Sequence, residues 1–121
     1  MELLTDADFK ALSNPGVESL QLVSPHNSKS TRVTITKVTV APGAEQPRHE
    51  HECSEQIWIA VSGNGKLLLA NGQSAEFKEG QVARFADGIT HGFVNDSKAP
   101  FVYLSVTSPP VDFAYAYASE A

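Results

Sequence analysis

Residues 43–63 read Gly-Ala-Glu-Gln-Pro-Arg-His-Glu-His-Glu-Cys-Ser-Glu-Gln-Ile-Trp-Ile-Ala-Val-Ser-Gly, and the reading of this stretch decides the fold. His49, His51 and Glu55 occupy odd positions, as do Ile57, Ile59 and Val61. Alternate side chains of a strand share a face. An extended chain therefore puts two imidazoles and a carboxylate on one face with an apolar run. The Cα atoms of His49 and His51 then lie roughly 6.6 Å apart, two strand rises. Both rings reach one ion through bonds of about 2.0–2.1 Å. Crowding buried imidazoles with a carboxylate is costly, and a divalent cation satisfies them. The same residues also fit a surface strand, because Glu45, Glu50, Glu52 and Glu55 make a solvated acidic loop. Taken alone, the stretch leaves both readings open.

The chain has 121 residues, the length of one domain spanning 1–121. With 41% hydrophobic and 19% charged residues it has the composition of a globular protein with one core. A net charge of −5 without basic clusters argues against nucleic acid or an anionic membrane as partner. Cys53 is the single cysteine, so no intrachain disulfide forms and a reducing compartment is the default. The first residues, Met-Glu-Leu-Leu-Thr-Asp-Ala-Asp, lack the basic and apolar regions of a signal peptide. No run approaches 18 apolar residues. The expected location is the cytoplasm.

Along the chain, Thr5 and Asp8 fit a capping box and Leu4 with Phe9 a hydrophobic staple, which predicts a short helix over about 5–13. Asn14-Pro15-Gly16 ends it. Strands follow at Val17–Ser24 and Ser30–Val40, the second with a phase switch that predicts a bulge near Thr36-Lys37. His26, between them, reads as an exposed loop residue. Glu55–Ser62 is the next strand. Lys66–Ala70 and Gln73–Phe77 flank Asn71-Gly72, the pair a type I′ hairpin turn requires. Gln81–Phe85, Thr90–Asn95 and Phe101–Thr107 complete a set of short strands at close spacing, the mark of an all-β sandwich or barrel over about 17–107. A tail over 108–121 places Phe113, Tyr115 and Tyr117 at every second position. It reads as extended, either an extra edge strand covering the barrel of its own chain or an arm that docks a partner or a second copy in preference to forming a lid.

Residues 80–95 carry the second half of the pattern, Gly-Gln-Val-Ala-Arg-Phe-Ala-Asp-Gly-Ile-Thr-His-Gly-Phe-Val-Asn. The Gly88 turn puts His91 at a strand start, sharing a face with Phe93. A third imidazole beside the first groups completes a His₃Glu shell with positions open to water, substrate or oxygen.

Residues 43–63 resemble the first motif of the cupins, Gly-x5-His-x-His-x3-Glu followed by a glycine. Residues 80–95 resemble the second, Gly-x5-Pro-x-Gly-x2-His-x3-Asn, through Gly80, Gly88, His91 and Asn95. Ala86 replaces the motif's proline, and Gly63 follows Glu55 at one residue beyond the shortest spacing. The resemblance covers roughly residues 30–107 and implies a small RmlC-like cupin: a double-stranded β-helix, or jelly-roll barrel, with His49, His51, Glu55 and His91 as metal ligands. It implies Fe, Mn, Ni, Zn or Cu as the ion. Imidazole and carboxylate donors suit several of these.

The expectation is a small-molecule metalloenzyme, a dioxygenase-like oxygenase or an isomerase or lyase, in which Glu55 doubles as a proton acceptor. The alternatives are a non-catalytic binding or sensing cupin and an accessory subunit. Phe93 and Tyr103 are the expected pocket walls, and Arg48 and Arg84 the candidates to hold an anionic substrate. Cys53 shares the ligands' parity but is not a ligand position in the family. Asn95 reads as structural, and Trp58 as packed between sheets or at an interface. Pairing of open sheet edges in a homodimer is expected.

Overall fold

The computed structural model describes residues 1–117 and 119–120. Among them run β1 (Lys10–Asn14), β2 (Val17–Val23), β3 (Thr34–Val40), β4 (Glu45–His49), β5 (Glu55–Ser62) and β6 (Asn64–Leu69). β7 (Ser74–Lys78), β8 (Val82–Phe85), β9 (His91–Val94), β10 (Phe101–Ser108) and β11 (Ser119–Glu120) follow. They form a seven-stranded sheet ordered β11-β1-β2-β3-β10-β5-β8 and a four-stranded sheet ordered β4-β9-β6-β7. All neighbouring pairs are antiparallel. No helix of the described residues is long and apolar enough to cross a membrane.

Register sorts the interior into two ends. On β10, Phe101 and Tyr103 face inward beside Val40 and Val38 of β3. Two steps further, Ser105 and Thr107 face inward beside Thr36 and Thr34. Phe77, Phe93 and Phe101 pack ring on ring at the apolar end, with Phe93 and Phe101 centroids 4.3 Å apart. The barrel is therefore filled at one end and lined by hydroxyls and amides at the other.

Two sequence expectations fail locally. The helix over 5–13 is a single 3-10 turn, Asp6–Asp8, followed by β1. Its capping box is real, with the Thr5 backbone N–H donating to Asp8 Oδ2 at 2.9 Å. One capped turn cannot outweigh the ladder that β1 makes with β2, where Leu12 is buried. The bulge expected at Thr36-Lys37 is absent, since β3 pairs with β10 without a shift. Thr34 and Thr36 hold inward positions, so polar residues inside the barrel look in sequence like a change of phase. The shift lies instead in β2, between Gln21 and Val23. The Asn71-Gly72 turn forms as expected, both residues at positive φ. Asn95 donates to the Val40 and Ala99 carbonyls at 2.9 and 2.8 Å, tying the 96–100 loop to the end of β3.

Gly65 sets how closely β6 approaches Phe93 and Val94 of its neighbour β9. A Cβ there meets the Phe93 ring and lies 2.6 Å from the Val94 carbonyl oxygen. Gly65→Ala is expected to cost about 1–3 kcal/mol through overpacking, read as a lower midpoint in chemical denaturation.

Candidate metal centre

β4 and β9 lie side by side in the smaller sheet with His49 opposite His91. The chain leaves β4 at His49, so His51 is carried by the following turn. That turn is fastened by the Gly88 N–H donating to the His51 carbonyl at 2.8 Å. Three imidazoles result from these constraints, with ring centroids 4.4 Å (His49–His91), 5.1 Å (His49–His51) and 5.6 Å (His51–His91) apart. One nitrogen from each falls within 4.8 Å of the others.

Backbone carbonyls orient two of the rings. His91 Nδ1–H donates to the Ile89 carbonyl at 2.8 Å, and His49 Nδ1–H to Pro47 at 2.9 Å. In that tautomer each ring keeps a lone pair on Nε2. His91 is buried, stacked on Phe85 at 4.3 Å with Trp58 edge-on at 5.4 Å. Burial pushes its pKa down to about 4, and burial followed by the neighbouring His49 pushes His51 down. These are neutral imidazoles with lone pairs to donate. His51 Nε2 is buried and has no partner among the described residues. A buried nitrogen left in this state fits a metal ion as its missing partner.

Glu55 does not join them. It lies on the outer face of β5 and pairs with Arg84 of β8 through Arg84 Nε and Glu55 Oε1. The strand parity that groups it with the histidines is interrupted by the turn at Glu52-Cys53, which passes the chain from one sheet to the other. On β5 the even positions Gln56, Trp58 and Ala60 face inward. Gln56 Oε1 therefore lies 2.9 Å from His91 Nε2. The same oxygen accepts from Trp58 Nε1–H at 3.1 Å, and Gln56 Nε2–H donates to Thr107 Oγ1 at 2.9 Å.

A cavity of about 600 Å³ opens beside the histidines, lined in part by Val17, Val38, Trp58, Tyr103, Phe113 and Tyr117. Tyr103 is a wall residue as expected, its hydroxyl donating to Gln46 Oε1 at 2.6 Å. Phe93 is not, being packed in the apolar end. Of the two arginines, Arg48 borders the cavity and Arg84 does not. Arg84 serves Glu55, and Arg48 donates to the Leu69 and Gln73 carbonyls at 2.7 and 3.2 Å. Cys53 is exposed. His26 is a surface residue beside Asp112 at 3.2 Å. The tail differs from the expected extended arm: Phe113–Ala116 is a 3-10 turn, with Phe113 on the His51 ring at 5.7 Å and Tyr115 exposed. The tail thus forms part of the cavity wall, and the reading for 118 and 121 lies outside the described residues.

The Cupin domain family model matches residues 36–107. The chain belongs to the cupin family. This cupin is 28% identical over 100 residues to auxin-binding protein 1 of Arabidopsis thaliana, a match covering 78% of the chain and 48% of that protein. It thus spans about half the length of that relative. Among solved structures it resembles an uncharacterized Klebsiella pneumoniae protein with a double-stranded β-helix domain, at 22% identity, TM-score 0.75 and 91% coverage of both chains. The polyketide cyclase RemF of Streptomyces resistomycificus superposes with TM-score 0.77 at 23% identity, covering 90% of this chain and 80% of RemF. At these identities the two structures establish the shared fold. Gln56 is the site residue that motif reading passes over. The signal was the spacing, since counting back from Gly63 by the shortest interval reaches position 56 and not 55.

The depressed pKa of His91 has a consequence for stability. Above its ordinary pKa of 6.5 the ring is neutral whether folded or unfolded. Between 6.5 and about 4 the unfolded chain takes up a proton that the folded protein refuses. The metal-free protein is expected to lose about 3 kcal/mol from this group as pH falls through that window. Denaturation midpoints measured from pH 7 to pH 4 check it, and His91→Gln is expected to flatten the descent.

Proposed function

We propose that this cupin is a metal-dependent enzyme acting on a small molecule, with His49, His51 and His91 holding a divalent transition metal. The observation that carries the reading is the convergence of three imidazoles on one point beside a cavity, with His51 Nε2 lacking any other partner among the described residues. Fe, Mn, Ni, Zn and Cu all accept such a donor set. When bound, the ion supplies Lewis-acid polarisation of a substrate oxygen. The chain's own residues set the conditions. The Ile89 and Pro47 carbonyls hold the ring orientations, Trp58 and Phe113 wall off water, and the Tyr103–Gln46 pair offers a neutral hydrogen-bonding contact to the substrate. Glu55, paired with Arg84 on the outer face, takes no part as a proton acceptor.

A dioxygenase-like cleavage or an isomerase or lyase step suits a cavity of this kind. A non-catalytic binding cupin is the second reading, and the relative whose name is auxin-binding protein 1 favours it. Oxygen uptake by the Fe(II)-loaded protein across phenolic and enolic compounds separates the two. Uptake with at least one compound supports the oxygenase, whereas tight binding of a compound recovered unchanged supports the binding module.

For the metal itself, elemental analysis after reconstitution is expected to give about one ion per chain. His51→Ala and His91→Ala are expected to fall well below that, while Glu55→Gln retains the wild-type content. A wild-type protein that stays metal-free after reconstitution would falsify the reading.

We further propose that the protein pairs with a second copy through the edge at β8. This strand ends the larger sheet, and its Val82 continues an outward apolar row with Ile59 and Leu104. Val82 is 62% exposed, and an open edge bearing such a row invites pairing. Sedimentation at micromolar concentration is expected to show a dimer, and Val82→Lys to shift it toward monomer.

A further inference from the structure

Gln56 carries an inference that rests on the metal reading and extends it. His91 has a carbonyl oxygen facing each ring nitrogen, Ile89 at Nδ1 and Gln56 Oε1 at Nε2. A neutral imidazole has one N–H. A ring that binds a metal through Nε2 carries its proton on Nδ1, toward Ile89 at 2.8 Å, and its Nε2 lone pair then faces the lone pairs of Gln56 Oε1 at 2.9 Å. Turning the Gln56 amide over does not remove the conflict. It sets the amide N–H₂ against Trp58 Nε1–H, which can only donate. With Thr107 and Trp58 fixing the amide, the oxygen and the His91 nitrogen present lone pairs to each other in the metal-binding tautomer. A cation bonded to both removes the conflict. Two adjacent ligands of an octahedral ion at about 2.1 Å are about 3 Å apart, which is the separation seen.

We propose that Gln56 Oε1 is the fourth protein donor to the metal, and that this uncharged shell selects substrates binding through an anionic oxygen. Three imidazoles and an amide leave the ion with both positive charges, whereas a carboxylate in the same place removes one. Arg84 is taken up by Glu55 on the outer face, and Arg48, at the cavity border, is exposed with Nε and Nη2 held by the Leu69 and Gln73 carbonyls. The ion is then the anchor for negative charge, and an enolate, phenolate or carboxylate oxygen is its complement. Glu45 and Glu50 also border the cavity but are exposed, so solvent weakens their opposition.

Co(II) as the metal and azide as the anionic probe test this without a substrate. The wild type and Gln56→Glu are loaded with Co(II), and folding is checked by circular dichroism. Co(II) affinity is measured by chelator competition, and azide binding by titration of the visible spectrum. Gln56→Glu preserves size and can keep both the Trp58 and Thr107 contacts, so it is the informative variant. It is expected to change the Co(II) spectrum, tighten Co(II) about tenfold or more, and weaken azide by a similar factor. Unchanged spectrum and affinities in a variant that binds Co(II) overturn the proposal. An altered spectrum with unchanged azide affinity overturns the charge selection. Absence of Co(II) binding by the wild type, or binding that survives His91→Ala, overturns the metal reading beneath it.

Discussion

β10 pairs on both flanks, with β3 on one side and β5 on the other, and the site depends on that double register. Thr107 is set opposite Gln56 and Thr34, while Tyr103 is set opposite Ala60 and Val38. One strand thus fixes how far along the barrel the polar residues begin. Its inward side chains run Phe101, Tyr103, Ser105, Thr107, from rings that close one end to hydroxyls that line the other. Close packing at the aromatic end holds the strands so that the opposite end stays open without collapsing. Slipping the β10–β5 register by one residue would turn Gln56 and Trp58 to the outside together.

Three imidazoles in contact are an expensive arrangement unless they stay uncharged. Burial and mutual repulsion both disfavour the protonated forms, which is why His91 and His51 are held below their ordinary range. Neutrality costs hydrogen-bonding satisfaction, because each ring then has one nitrogen that can only accept. The backbone resolves which one. Pro47 and Ile89 each receive an Nδ1–H, leaving two Nε2 atoms free of the backbone, and the His51 Nε2 atom also stays unpartnered among the described residues. At His91 a second carbonyl oxygen, Gln56 Oε1, faces Nε2, while the surrounding rings of Phe85, Trp58 and Phe113 offer no acceptor.

Much of this was legible in the chain. His49 and His51 flank a single residue, His91 follows the Gly88 turn, and together with the glycine spacing they resemble the cupin motifs closely enough to predict barrel and histidine cluster. The turn between β6 and β7 was equally readable, because Asn71 and Gly72 accept the positive φ that other residues resist. The short helix was not, since its capping signal is genuine but extends over one turn, and propensity could not reveal that Leu12 gains more by pairing in a sheet. The tail's alternation suggested an extended arm, yet its inward Phe113 and outward Tyr115 arise from a tight turn across the cavity. Both failures have one origin: local pattern specifies which side chains are buried, and distant partners decide by which backbone shape.

The acid and the amide at 55 and 56 show the same principle at the scale of one residue. Parity carried from His51 favours Glu55, but parity is a property of a continuous strand, and the turn at Glu52-Cys53 ends one strand before β5 begins. Ser54 restarts the count. It is buried, with its hydroxyl donating to the Pro109 carbonyl at 2.9 Å, and from it the inward positions are 56, 58 and 60. At the far end Val61 is an extra residue against β10, where the register shifts between Val102 and Tyr103, so counting inward from Gly63 in steps of two is also broken. Trp58 settles the phase energetically. Its large ring is almost wholly buried against Tyr103, Phe85 and His91, and no other register of β5 gives it that environment. With Trp58 inside, Gln56 is necessarily inside and Glu55 outside, where Arg84 is available to pair with it. The side chain that meets the histidines is thus chosen by the burial of a tryptophan two residues away, not by which neighbour carries the charge.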